Sequence, residues 1–321
     1  MSRIKQGLSE FKEQADIVKK EYGGNKLRWY SDMLWSLIRY GARPIDYVRF
    51  EFHKKSGKER NKYLTIFKYF NLAKKIRRNL NNNISGDKVN EYKIYSKFIS
   101  RPWLLIDKDT NKDEVINFLR KNEKVIAKPV NGEQGKNIFV INYSDSNSIE
   151  KVLNICKNNN YILEGVIQNC DEIRSLNPSS LNTFRCYTFI DKKGNVNILE
   201  IMLRVGSKGS NVDNWGSGGV GYVFDLATGI CIQPGLDKKN NPYLNHPGTD
   251  KLMIGFSIPR YKELIKYVND LCMVEPSARF VGWDIAITPT GFELIEMNCP
   301  GGHDFLQVFG RPWGDYLKNN W

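Results

Sequence analysis

Two acids and an amide near the C-terminus have the types and spacing to hold a hard cation. The stretch Val281-Gly282-Trp283-Asp284-Ile285-Ala286-Ile287 and Phe292-Glu293-Leu294-Ile295-Glu296-Met297-Asn298 reads as two strands joined by Thr288-Pro289-Thr290-Gly291. Side chains alternate along a strand, so Glu296 and Asn298 share a face. A three-residue loop, Pro289 to Gly291, sets Asp284 directly opposite Glu296, and opposed residues share a face. Two unpaired carboxylates on an apolar sheet are costly. Mg²⁺ offsets that cost, because it takes oxygen ligands and binds through one or two carboxylates together with phosphates. The expected site is one for Mg²⁺ and a nucleotide.

Other residues have the chemistry to complete such a site, although each alone also fits a plain structural role. Lys128 lies on the strand Val125 to Pro129, just before a loop containing Gly132 and Gly135. Glycines let backbone N–H groups approach phosphate oxygens, and a lysine adds a point charge. The loop lacks the GxxxxGK[ST] pattern of a P-loop. Glu164 interrupts the apolar strand Tyr161 to Ile167, where it suits an adenine amine or a ribose hydroxyl, or simply faces water. Arg185 and Arg204 stand on later strands, placed for phosphate, carboxylate or a surface ion pair. The Gly-rich stretch Gly206 to Gly221, with Asp213 and Asn214, reads as a substrate loop or an ordinary flexible one. His246 precedes a Pro-Gly turn, and His303 follows Asn298 closely enough to reach a substrate.

These residues need a scaffold, and the chain is long enough at 321 residues for two or three domains. Residues 1–80 read as helices: Leu27, Tyr30, Met33, Leu34, Leu37 and Ile38 recur near a 3.6-residue period, as do Tyr63, Ile66, Phe67, Phe70, Leu72 and Ile76. The Asn-rich run 79–86 reads as a linker. Asp87 is placed to cap a short helix, after which strands and helices alternate with mostly antiparallel pairing. The predicted class is α+β.

Charge is unevenly spread. Residues 1–100 carry 23 Lys and Arg against 10 Asp and Glu, and the remainder carry 25 of each, so the whole excess of +13 sits in the first hundred. That asymmetry predicts an anionic partner for one region, or a merely solvated basic face. Basic helices bearing Trp29 and Trp35 fit an anionic membrane surface, or a helical domain whose aromatics face its core. No specific nucleic-acid motif interleaves with the basic residues. No run of about 18 apolar residues predicts a membrane span. The N-terminus lacks the apolar segment of a signal peptide, so a cytoplasmic protein is expected, either free or peripheral on the inner membrane face. Six cysteines without a CxxC pair and three histidines give no zinc pattern and predict reduced thiols.

Taken in order, Asp87-Lys88 before a helix, Lys128-Pro129 before a glycine-containing hairpin, Glu164 in an apolar strand, Arg185, and Asp284 with Glu296-x-Asn298 resemble the ATP-grasp superfamily over residues 87–300. The closer similarity is to the sugar-transfer-associated ATP-grasp proteins of polysaccharide biosynthesis. Leu181-Asn182-Thr183-Phe184-Arg185, Leu203-Arg204-Val205-Gly206, Val212-Asp213-Asn214, Gly218-Gly219, His246-Pro247, Phe256-Ser257-Ile258-Pro259 and Gly282-Trp283-Asp284 carry it. Gly41-Ala42-Arg43-Pro44-Ile45-Asp46-Tyr47 extends it into the helical front.

The resemblance implies an ATP-grasp fold. It divides the chain into a basic helical region, 1–86, and an ATP-grasp module, 87–321, with a nucleotide lid at 120–170 and a metal and substrate subdomain at 171–321. It implies ATP and Mg²⁺ as cofactors. Lys88 and Lys128 bind the α- and β-phosphates, with the loop holding Gly132 and Gly135 above them. Glu164 and the backbone at Val166 hold adenine, with Asp171 a candidate for the ribose. Asp284, Glu296 and Asn298 hold metal, and Arg185 and Arg204 stabilise the transferring phosphoryl group. Asp213, Asn214 and His303 are left for the substrate. Many relatives carry an arginine two residues before the first metal acid; here that position is Gly282, and Arg185 or Arg204 supplies the charge instead. The implied activity is a carboxylate–amine ligase that joins an amino acid to a uronic acid or amino sugar of a surface glycan or capsule. The alternatives are a small-molecule kinase of the same fold and a non-enzymatic basic adaptor.

Overall fold

The computed structural model describes residues 3–81, 84, 86–131, 137–145, 147–155, 160–206 and 215–321. It contains two antiparallel sheets and a helical front. The strands, in chain order, are β1 (Trp103–Ile106), β2 (Lys124–Pro129), β3 (Phe139–Asn142), β4 (Tyr161–Gly165), β5 (Thr183–Ile190), β6 (Val196–Val205), β7 (Val220–Val223), β8 (Gly235–Leu236), β9 (Pro242–Tyr243), β10 (Phe280–Ile287) and β11 (Phe292–Asn298).

The smaller sheet has the order β1-β4-β2-β3. Its core is largely aliphatic: Ile106, Val125, Ala127, Ile141 and Leu163, with Tyr161, pack with Val115 and Leu119 of helix Lys112–Asn122 and Val152 of helix Ser148–Ile155. Helix Lys112–Asn122 starts where the Asn111 side chain accepts from the Asp113 N–H, and it carries acids in its first turn and bases in its last. The larger sheet has the order β11-β10-β5-β6-β7-β8-β9, and its strands supply the main core, with Trp283 and Phe280 of β10 fully enclosed.

The helical front builds a third core from Ala15, Val18, Trp29, Met33, Tyr47, Phe50, Phe52 and Tyr63. Its next helix, Ile66–Asn79, instead sends Leu72 and Ile76 into the main core. Gly41 ends helix Lys26–Tyr40 in the left-handed region at φ 65°, and a Cβ there would meet Phe67 Cβ at 2.9 Å, so glycine is required twice over. Helix Lys26–Tyr40 buries Trp29, Met33 and Ser36, whereas Leu27, Leu34, Trp35 and Ile38 stand in solvent. Core-facing aromatics therefore describe Trp29 and fail for Trp35. The period was right because this helix is apolar on two opposite faces.

Candidate active site

The β10–β11 hairpin brings Asp284 opposite Glu296, but not through a three-residue loop. Ile287 pairs with Phe292, leaving the four residues Thr288 to Gly291 as the turn, and a bulge between Asp284 and Ile285 then shifts the register by one. The next strand over extends the row: Asp284 also pairs with Arg185 on β5, and Arg185 pairs with Met202 on β6, two residues before Arg204. Glu296, Asp284, Arg185 and Arg204 therefore share one face, with Asn298 beside them opposite Gly282.

Asp284 is not the unpaired acid that the sequence argument required. It is buried, and Arg185 grips it with Nε at 2.5 Å and Nη2 at 2.9 Å, while Arg204 Nη2 lies 3.1 Å from Oδ2. Burial pushes this carboxyl up, and the two guanidinium charges more than reverse that, leaving it below the usual range. Asn298 Nδ2 donates weakly to Gly282 O at 3.3 Å and to Asp284 Oδ2 at 3.4 Å. Glu296 is half-buried and makes no hydrogen bond or ion pair among the described residues. The free carboxylate of Glu296 and the Asn298 amide oxygen thus suit Mg²⁺, and Asp284 joins them only if the arginines yield.

The two lysines meet at the end of β2. Lys88, in the first turn of helix Lys88–Ile94, donates from Nζ to Pro129 O at 3.5 Å. Lys128 Nζ lies 2.9 Å from Glu164 Oε2. Asp87 caps that helix as expected, accepting from Asn90 N–H at 3.0 Å. Two ammonium groups at the mouth of the β2–β3 connection fit phosphate oxygens. Gly132 and Gly135 in that connection, and Asp213 and Asn214 after β6, lie outside the described residues.

Glu164 is a hub of buried charge. Its carboxylate meets Lys128, the Arg101 Nε at 2.9 Å and the Tyr92 hydroxyl. Burial pushes it up, and Lys128 and Arg101 pull it further down, to about 2. An adenine amine reaches this carboxylate only by displacing one of those partners. Val166, just past β4, is exposed. Asp171 is exposed on the one-turn helix Asp171–Arg174 and pairs with Arg174, so it does not join the cluster.

His303 is also placed differently. It is buried, 3.1 Å from Asp46 Oδ1 and stacked on Tyr69, where it ties the C-terminal loop to the helical front. His246 is the turn residue its sequence suggested, its ring nitrogens lying 3.2 Å from Thr249 Oγ1 and 3.1 Å from Gly206 O. The five described cysteines are free thiols.

Arg101 and Glu91 were missed. Arg101 is buried and bridges the sheets: it meets Glu164 of β4, and Glu293 Oε1 at 2.9 Å and Leu294 O at 2.6 Å on β11. Glu91 accepts from Met297 N–H at 2.7 Å, between Glu296 and Asn298, and its carboxyl is raised to about 8 by burial and then by the charge of Glu296. Glu293, an acid at an odd offset from Glu296 and Asn298, was the one visible trace of this network.

Two antiparallel sheets, with Lys88 and Lys128 at the end of β2 and an acid–arginine row on the larger sheet, are the arrangement to set beside known proteins. A family model for sugar-transfer associated ATP-grasp proteins matches residues 71–312, and the chain belongs to that family. Enzymes of this class use ATP and Mg²⁺. Among solved structures, the chain is similar to D-alanyl-alanine synthetase A from Vibrio cholerae (12% identity, 74% of this chain and 65% of that one, TM-score 0.46). It is also similar to the VanG D-Ala:D-Ser ligase from Enterococcus faecalis (12% identity, 73% and 60%, TM-score 0.47). A third similar structure is the ATP-grasp ligase PsnB in complex with a precursor variant, Mg and ADP (12% identity, 74% and 58%, TM-score 0.43). The chain spans less than two thirds of the length of each. Curated proteins give no match.

Proposed function

We propose that the protein is a carboxylate–amine ligase that joins an amino acid to a uronic acid or amino sugar during surface polysaccharide or capsule synthesis. The observation that carries this reading is the row Glu296–Asp284–Arg185, with Arg204 and Asn298, on one sheet face. Bound ATP and Mg²⁺ supply the phosphoryl group that turns a carboxylate into an acyl phosphate, from which an amine displaces phosphate. The chain's own residues then have defined tasks. Lys88 and Lys128 neutralise phosphate oxygens, Glu296 and the Asn298 oxygen hold the metal, and Asp284 keeps Arg185 and Arg204 aimed at the developing charge. Among the described residues no serine or cysteine is paired with a histidine as a nucleophile, which agrees with a reaction run by positioning and charge.

The test supplies ATP, Mg²⁺ and pooled amino acids with uronic acids and amino sugars, and follows ADP and amide. ADP with an amide product supports the ligase. ADP without amide transfers the assignment to a kinase, and no ADP with any pair removes it.

The helical front is the part we place against an acidic acceptor at the inner membrane face. No helix of the described residues is long and apolar enough to cross a membrane. Leu27, Leu34 and Ile38 recur at i, i+7 and i+11 on the face opposite Trp29 and Met33, and Leu27 and Ile38 are 71% and 72% exposed. Arg28, Trp35 and Arg39 flank them. Exposed Phe67 and Phe70 begin the helix that abuts Gly41, and Lys74, Lys75, Arg77 and Arg78 end it. Apolar side chains ringed by cations match an anionic lipid surface better than a glycan or nucleic acid, which gives Leu and Ile nothing to bury against.

A further inference from the structure

A second pocket, of about 250 Å³, lies where the helical front meets the C-terminal loop and segment 233–242. Phe50, Tyr63 and Phe309 give it aromatic walls, and Arg49, Glu51 and Lys55 give it charge. Glu51 is already paired with Lys54 at 2.5 Å. Arg49 is buried, with Nη1 on Asp304 at 2.7 Å and Nε without a partner. Lys55 is half-buried; its ammonium lies over the Tyr63 ring at 5.6 Å and makes no hydrogen bond or ion pair among the described residues. Withdrawing a cation from water without giving it an oxygen partner is unfavourable, and an anion in the pocket relieves it.

A chain of contacts links the pocket to the reactive row. Asp304, held by Arg49, and the Tyr187 hydroxyl each flank Gly302, and Arg185 lies over the Tyr187 ring at 5.7 Å. The volume is below the roughly 300–1,000 Å³ of pockets for drug-sized ligands. It takes a single ring and excludes a whole nucleotide.

We propose that this pocket binds the sugar substrate, as one monosaccharide ring carrying an acidic group. Lys55 holds the acid and Phe309, the half-exposed aromatic of the lining, packs against a C–H face of the ring. Because no residue lining the pocket belongs to the Glu296–Asp284–Arg185 row, that acid is a recognition handle, and a different group on the sugar reacts. Naming the ligand a substrate rests on the ligase reading; binding itself does not.

Calorimetry on the full chain without nucleotide tests it, with sodium glucuronate and glucose 6-phosphate as carboxylate and phosphate probes and glucose as the neutral control. Either anionic sugar should bind at least tenfold more tightly than glucose. Lys55→Gln should lose at least tenfold of that affinity, Lys55→Arg should restore it, and both should bind an ATP analogue as the parent does. Equal binding of glucose, no binding of either anion, or indifference to Lys55→Gln overturns the proposal. ADP release measured on the same preparations separates the two readings: binding without ADP release removes the ligase and keeps the pocket, and ADP release unaffected by Lys55→Gln does the reverse.

Discussion

Arg185 and Asp284 face each other across β5 and β10, joined by two hydrogen bonds in a bidentate clasp. This pair changes which variant tests the metal reading. Asp284→Asn leaves buried guanidinium charge without its counter-ion, at a cost of about 3–5 kcal/mol. Denaturant titration should show that loss, so inactivity of this variant says little about metal. Glu296→Gln removes a carboxylate with no protein partner. It should keep stability within about 0.5 kcal/mol while losing Mg²⁺-dependent ADP formation. A fully active Glu296→Gln would contradict the metal assignment.

Glu91 makes stability depend on pH. Its folded-state carboxyl titrates near 8 against 4.5 for an unperturbed one. The unfolded chain therefore releases this proton first as pH rises, and the stability present below pH 4.5 drains away up to about pH 8. Glu91→Gln keeps an oxygen for the Met297 N–H and removes the titration. Melting curves from pH 5 to 8.5 should show the parent falling relative to this variant; parallel curves would refute the assignment.

Arg101 holds Glu164 and Glu293 together at the seam between the sheets. Arg101→Met takes the buried charge partner from Glu293 and one of two from Glu164 and should destabilise the protein by about 3–5 kcal/mol. The loss should be read by denaturant titration at pH 8. A variant as stable as the parent at pH 8 would show that the network is not continuous in solution.

The exposed stripe of helix Lys26–Tyr40 should matter for lipid and not for folding. Leu34→Asp with Ile38→Asp should abolish flotation with vesicles containing anionic lipid and leave the melting temperature unchanged, because both side chains already face water. Retained flotation would remove the membrane assignment, and a change in oligomeric state would reassign the stripe to a second copy of the chain.

Apolar runs and turn chemistry make the large hairpins readable, because β5, β6, β10 and β11 are largely apolar, β10 buried along its whole length, and are bounded by turn residues. The row around Asp284 was half readable. Two strand offsets placed Glu296, but nothing local says that an arginine 99 residues away will meet Asp284. Glu91, Arg101 and Lys55 were invisible for the same reason: each matters through a partner or cavity wall distant in sequence. His303 misled because closeness along the chain to Asn298 says nothing about which neighbour buries it.

The offset of one at Asp284 has an arithmetical consequence. Remove it and Ile295, instead of Glu296, lies across from Asp284, while Glu296 confronts the enclosed indole of Trp283. The acids would then sit on opposite sides of the sheet. Inserting one residue after Leu294, with the bulge kept, should therefore bring Ile295 across from Asp284 and disable the enzyme as thoroughly as deleting a ligand, although no ligand is lost.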